Sequence, residues 1–169
     1  MEAYTVKDAV QQMSVLMANL YYYLTREFVE TYGDGAKDVI ARAIIAFGHA
    51  RGEAIAHSVL ANGQPLTIEN LDRYYDMPIS SGWDLTRNYY SDHRDNITES
   101  CTFANVWKEK DWTEVGHLYC LVDIALREGY SNNIQFIPVK NILKGDKHCV
   151  SRTIYKDQYK ESAEQGRDA

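Results

Sequence analysis

Cysteine, proline and excess basic charge are all scarce in this chain. Its three cysteines are too few and too far apart for a disulfide framework, so reduced thiols in a cytoplasmic setting are expected. Compact zinc sites need cysteine pairs spaced about two to four residues apart, and Cys101, Cys120 and Cys149 form no such pair, so no metal is expected. No apolar run approaches the roughly 18 residues of a membrane span, and the chain opens without the basic and apolar regions of a secretory signal. Lysine and arginine number 18 against 24 aspartates and glutamates, a net charge of −6. Without a basic cluster, nucleic acid and anionic membrane surfaces are excluded as partners. Phosphate loops, dinucleotide fingerprints and Gly-x-Ser-x-Gly elbows are missing too, so no cofactor is expected.

What the chain has in quantity is tyrosine, 13 of its 169 residues. Tyrosine joins a large apolar body to a polar tip, which suits pocket walls and interfaces. A small-molecule substrate is therefore the expected partner, and a homo-oligomer stays open. The length fits one domain, here residues 1–155, followed by a charged tail over 156–169 with no core-facing pattern, expected to be frayed.

Val6, Val10, Met13, Met17, Leu20 and Leu24 recur at helical steps and predict a long helix to Tyr32. A second helix is predicted over residues 36–60, with Ile40, Ile44, Phe47, Ile55 and Ser58 on one stripe, and a short third over 68–75. Strands are predicted over 83–90 and 96–103, joined by a polar turn in which His93 is solvated. Asp111, three residues before Glu114, has capping-box spacing and opens a predicted helix over 112–128. That helix is apolar nearly all round and so central. Strands over 133–143 and 148–155 close the domain. The fold class is α+β, with long N-terminal helices packed on a small antiparallel sheet of about four strands and one buried helix.

The chemistry gathers in the second half. Cys149 follows the turn at Gly145 and Asp146 and stands beside His148. A neighbouring imidazolium or a nest of backbone N–H groups would favour its thiolate, the reactive form. Packing as a small buried residue is the alternative. Cys120 and Asp123 are helical neighbours. Asp123 also precedes Arg127 by one turn, so it is either a plain ion pair or a general base on a cavity wall. Cys101 lies on a strand among apolar residues. Arg51 falls mid-stripe on the second helix, between Gly48 and Gly52. A cation there needs a partner, either a substrate carboxylate held bidentately or an internal ion pair.

At these residues the chain resembles the L-2-amino-thiazoline-4-carboxylic acid hydrolase family. The resemblance rests on Gly48-His49-Ala50-Arg51-Gly52, on the run from Cys101 to Ala104, on Gly116 to Cys120 with Asp123, and on Gly145 to Cys149. It implies a hydrolase that opens a sulfur-containing ring at the carbon bearing the amino group. Val150 and Ser151 depart from the acidic and aromatic residues associated with that pattern. The ending also looks like that of 4-vinyl reductase domains, which bind small hydrophobic ligands without needing to be catalytic. The expected function is a cysteine-dependent hydrolase opening a C–N bond (amidine, thioamide or amide) of a small cyclic carboxylate. Cys149, His148, Asp123 and Cys120 are its catalytic candidates, and Arg51, Cys101 and Asp146 its substrate-binding ones. The alternative is a non-catalytic small-molecule-binding or sensing module.

Overall fold

Thr5 and Asp8 cap one another at the start of the first helix, α1 (Val6–Tyr32), through a full capping box that satisfies two otherwise orphaned N–H groups. The computed structural model describes residues 5–158. Helices α2 (Ala36–Ala61) and α3 (Ile68–Arg73) follow, then strands β1 (Trp83–Tyr89) and β2 (His93–Cys101). Helices α4 (Thr102–Glu109), α5 (Thr113–Leu118) and α6 (Leu121–Tyr130) come next. The chain closes with β3 (Ile134–Lys140), a 3-10 turn at Ile142–Lys144, and β4 (Cys149–Tyr155). The strands form one four-stranded sheet in the order β1-β2-β4-β3, antiparallel at every pairing. This is the α+β architecture expected from the sequence. Of the charged tail, residues 159–169 lie outside the described residues.

Glycine decides how the two central helices meet. A Cβ at Gly48 would fall 2.6 Å from the Ala125 Cβ, one at Gly52 2.1 Å from the Leu126 carbonyl oxygen, and one at Gly129 2.5 Å from the His49 carbonyl oxygen. Helices α2 and α6 therefore touch backbone to backbone, and what the glycines of α2 admit is a helix. Around this contact Ile55, Val59, Leu71, Leu126, Tyr130 and Ile134 form one core cluster. A second cluster joins α1 to α4 through Ala18, Phe103, Val106 and Trp107, and the Trp107 indole N–H donates to the Ala18 carbonyl at 2.9 Å.

The apolar stripe of α1 faces outward: Ser14, Ala18 and Thr25 are its buried residues, because Trp107 needs a small, flat surface to lie on. His93 opens β2, stacks on Tyr90 at 4.4 Å and keeps only 17 % of its side chain exposed, so it is no solvated turn residue. Asp111 makes no capping box. Its φ is 52°, and α5 starts from Trp112 without a side-chain cap. The single helix over 112–128 is two, α5 and α6, and α4 precedes them where the end of a strand was expected.

Candidate active site

The break between α5 and α6 is where the site begins. The Tyr119, Cys120 and Val122 N–H groups donate to the carbonyls of Gly116, His117 and Tyr119, the tight i→i+3 pattern of a 3-10 turn. Gly116 makes the turn feasible, since a Cβ there would lie 2.7 Å from the Trp107 ring. The Tyr119 ring then enters an aromatic wall, 5.3 Å from Tyr21 and 5.1 Å from Phe103 between centroids. Cys120 is left at the N-cap of α6.

Each thiol is fixed by a donor from another residue. Cys101 ends β2 and caps α4, accepting the Ala104 N–H at 3.5 Å. Cys120 accepts from the Asn141 side-chain amide at 3.5 Å. Cys149, opposite Thr98 in the sheet, accepts the Ile142 N–H at 3.4 Å. Asn141 and Ile142 thus hold two sulfurs that arrive on different elements. The three thiols lie within electrostatic reach of one another: Cys149 acts on Cys101, and both act on Cys120. Asp123 acts on Cys120 and on Cys149.

Burial is the main cause that pushes all three thiols up, Cys101 to about 11 and Cys120 to about 12. Cys149 rises for the same reason, opposed by the Ile142 N–H and reinforced by Asp123 and Asp146. Burial also lifts the Tyr119 phenol to about 12 and the Tyr21 phenol further. At neutral pH the site therefore holds neutral thiols and phenols. A folded-state pKa above the unfolded one gives stability that is fully present below the unfolded pKa and lost as pH rises towards the folded one. From the ordinary thiol value of 9.0 to the raised values of about 11 and about 12, the window runs through the alkaline range. Melting temperature should hold near neutral pH and fall progressively above about pH 9, a fall that thermal melts on the Cys101→Ala/Cys120→Ala variant should show to be reduced.

The charged candidates take different places. Arg127, buried under Phe136 at 4.8 Å, donates to an Asp123 carboxylate oxygen at 2.9 Å and to the Asp123 carbonyl at 3.1 Å. Asp123 is thus both the ion-pair partner of Arg127 and the carboxylate nearest the thiols in effect, with 41 % of its side chain exposed. Asp146 accepts the Asn141 N–H at 2.8 Å and closes the turn that carries the sulfur donors. His148 lies 4.0 Å from the Glu99 carboxylate on β2, so its nearest charge partner is Glu99. Arg51 grips Asp76 through Nε at 2.8 Å and Nη2 at 2.6 Å, between the rings of Phe47 and Tyr75. Its internal ion pair is thus formed, and its charge reaches Tyr119.

Tyr119 stood in the sequence only as part of the run from Gly116 to Cys120, and Asn141 and Asp76, which also carry this arrangement, were not singled out. Asn141 alone left a signal, as an Asx-turn former just ahead of Gly145 and Asp146. Two surface clefts, one beside Asp72, Arg87 and Tyr89 and the other beside His49, Glu53 and Glu128, are lined by no cysteine. Among the described residues no three His, Cys, Asp or Glu side chains are grouped to hold a metal ion, and no helix is long and apolar enough to cross a membrane.

The family model described as L-2-amino-thiazoline-4-carboxylic acid hydrolase matches residues 13–152. The chain belongs to that family. Among curated proteins no relative matches this hydrolase-family chain. Among solved structures it is similar to the phenol-responsive sensory domain of the transcription activator PoxR with phenol. The identity is 15%, the TM-score 0.57, and the match covers 88% of this chain and 79% of that one. It is also similar to trafficking protein particle complex subunit 3 from Naegleria fowleri covalently bound to palmitic acid, at 15% identity and a TM-score of 0.51, covering 85% of this chain and 95% of that one. At such identity the likeness is one of fold. All the residues of the site, from Arg51 to Cys149, fall inside the stretch matched by the hydrolase family.

Proposed function

We propose that the chain is a hydrolase that opens a small cyclic amidine carboxylate of the 2-aminothiazoline type, with Cys149 as nucleophile. The observation that carries this reading is that three thiols from separate elements act electrostatically on one another, and the partly exposed carboxylate of Asp123 acts on two of them, Cys120 and Cys149, in a chain of this family. A neutral thiol needs a base, and Asp123, oriented by Arg127, supplies it. Cys149 gives its proton to Asp123 as its sulfur adds to the amidine carbon. The ring carbon–sulfur bond then breaks, because a thiolate leaves more readily than a nitrogen anion, and the released sulfur takes the proton. Cys149 is now joined to the opened substrate as an isothiourea. Water adds to the same carbon and passes a proton to Asp123. The bond to Cys149 breaks, the thiol regains its proton, and a carbamoyl group remains on the former ring nitrogen. One water is consumed. The bond broken is thus the ring C–S bond, and the C–N bond named from sequence is retained. Cys101 and Cys120 take no step, and Tyr119, Tyr21 and Phe103 form an aromatic wall. Asp146 holds the turn. Arg51, committed to Asp76, and His148, beside Glu99, take no step.

Incubation with 2-aminothiazoline-4-carboxylate should give a product heavier by one water and bearing a new free thiol, both read by mass spectrometry and a thiol reagent. A ligand bound in stoichiometric amount and recovered unchanged would sink the proposal. That outcome belongs to a second reading, a binding module. It draws support from the aromatic wall of Tyr119, Tyr21 and Phe103 against which Cys101 packs and from the small or apolar molecules named with the two similar structures.

A further inference from the structure

The outer face of α1 is an apolar stripe that nothing among the described residues covers. Met13, Leu16, Met17, Leu20, Tyr23 and Leu24 are each 47–62% exposed. At 100° per residue they fall within about 120° of arc, opposite the buried Ser14, Ala18 and Thr25. Val6 and Phe28, also exposed, extend the stripe at either end. With side chains each roughly half exposed, the stripe offers on the order of 700 Å², more than the largest apolar patch of most monomers and close to the roughly 800 Å² per partner of a standard interface. Charge is confined to its ends: Lys7 and Asp8 at the N-terminal end, Arg26, Glu27 and Glu30 at the C-terminal end.

We propose that a second copy of this chain docks on this face, the two α1 helices running antiparallel about a two-fold axis near Met17. Met17 is the midpoint between Val6 and Phe28, so the stripe is self-complementary, as an isologous interface requires. That same axis brings Asp8 level with Arg26 of the second copy and Lys7 level with its Glu27, opposite signs in both cases. Asp8 and Arg26 also share a flank of the helix, about 120° from Leu20. A parallel pair would set each of these charges beside its own kind and align the helix dipoles. The antiparallel arrangement opposes them. The interface lies across α1 from the face that packs on α4 and is independent of the proposed chemistry.

The test is the mass of the full chain in solution over a range of micromolar concentrations. The wild type should run at twice its 19.4 kDa chain mass, and Met17→Glu/Leu20→Glu should run as a folded monomer with unchanged circular dichroism. A wild type that is monomeric throughout, a double variant that keeps the wild-type mass, or a monomer that binds phospholipid vesicles through this face overturns the proposal. Orientation is read by oxidation against a wild-type control. Met17→Cys should cross-link to itself, and Leu24→Cys, displaced by about 21 Å along the antiparallel axes, should not. Efficient cross-linking of Leu24→Cys would mean a parallel pair and would overturn the arrangement.

Discussion

Gly52→Ala is expected to cost about 3 kcal/mol of unfolding free energy or more, at the upper end of overpacking effects. The added Cβ would lie 2.1 Å from the Leu126 carbonyl oxygen and 2.7 Å from the Tyr130 nitrogen, and neither obstacle is a side chain that can swing aside. Relief requires the two helices to part, which loosens the most extensive helix–helix contact in the fold and the core of Ile55, Val59 and Leu126 beneath it. Alanine's better helix propensity returns only about 1 kcal/mol. Denaturant unfolding should show the loss, and Ser58→Ala on the exposed side of the same helix should stay within about 0.5 kcal/mol of wild type. Near wild-type stability for Gly52→Ala would mean that α2 and α6 do not touch as described.

Cys149→Ala should lower kcat/KM on a 2-aminothiazoline carboxylate by about a thousandfold or more, near 4 kcal/mol of transition-state stabilisation. Cys101→Ala and Cys120→Ala, which remove thiols given no step in the proposed route, should cost less than about tenfold. Asp123→Asn, which keeps the shape and removes the base, should fall by about a hundredfold or more, with Arg127 left as an unpaired buried cation. Melting curves measured alongside separate lost chemistry from lost fold. A rapid quench should trap the isothiourea on Cys149 in the wild type by mass. Turnover near wild type in Cys149→Ala, with Asp123→Asn inactive, would replace the covalent route by direct attack of water activated by Asp123.

Much of this fold was legible because local signals agreed with it. Thr67 caps α3, Gly33 follows α1, and the strands on either side of the polar turn after Tyr90 pair as a hairpin. The site was legible in part. Three thiols and a carboxylate stood out by residue type, and in the structure the thiols act electrostatically on one another and Asp123 on two of them. Their donors did not stand out, because the Ile142 N–H and the Asn141 amide belong to a turn with no periodicity. The partner of Arg51 is an aspartate 25 residues away in a loop, a distance no pattern spans. The orientation of α1 was not legible, for a definite reason. Periodicity marks an apolar face without saying what covers it, and on the inner side Trp107 selects small residues over large ones. Helix α4 was hidden because Cys101 ends a strand and caps a helix at one and the same residue.

The grip of Asn141 has a consequence for how fault-tolerant the site is. Its side-chain amide bonds Cys120, its own N–H is fixed by Asp146, its side-chain oxygen takes the Leu143 N–H, and the next N–H along the chain bonds Cys149. Two sulfurs carried by different elements, the α6 N-cap and the start of β4, are bonded by two successive residues that perform no chemistry. A shift of this turn therefore disturbs the donors of both sulfurs at once, even though each thiol is also anchored by its own element, Cys120 by the α5–α6 turn and Cys149 by β4.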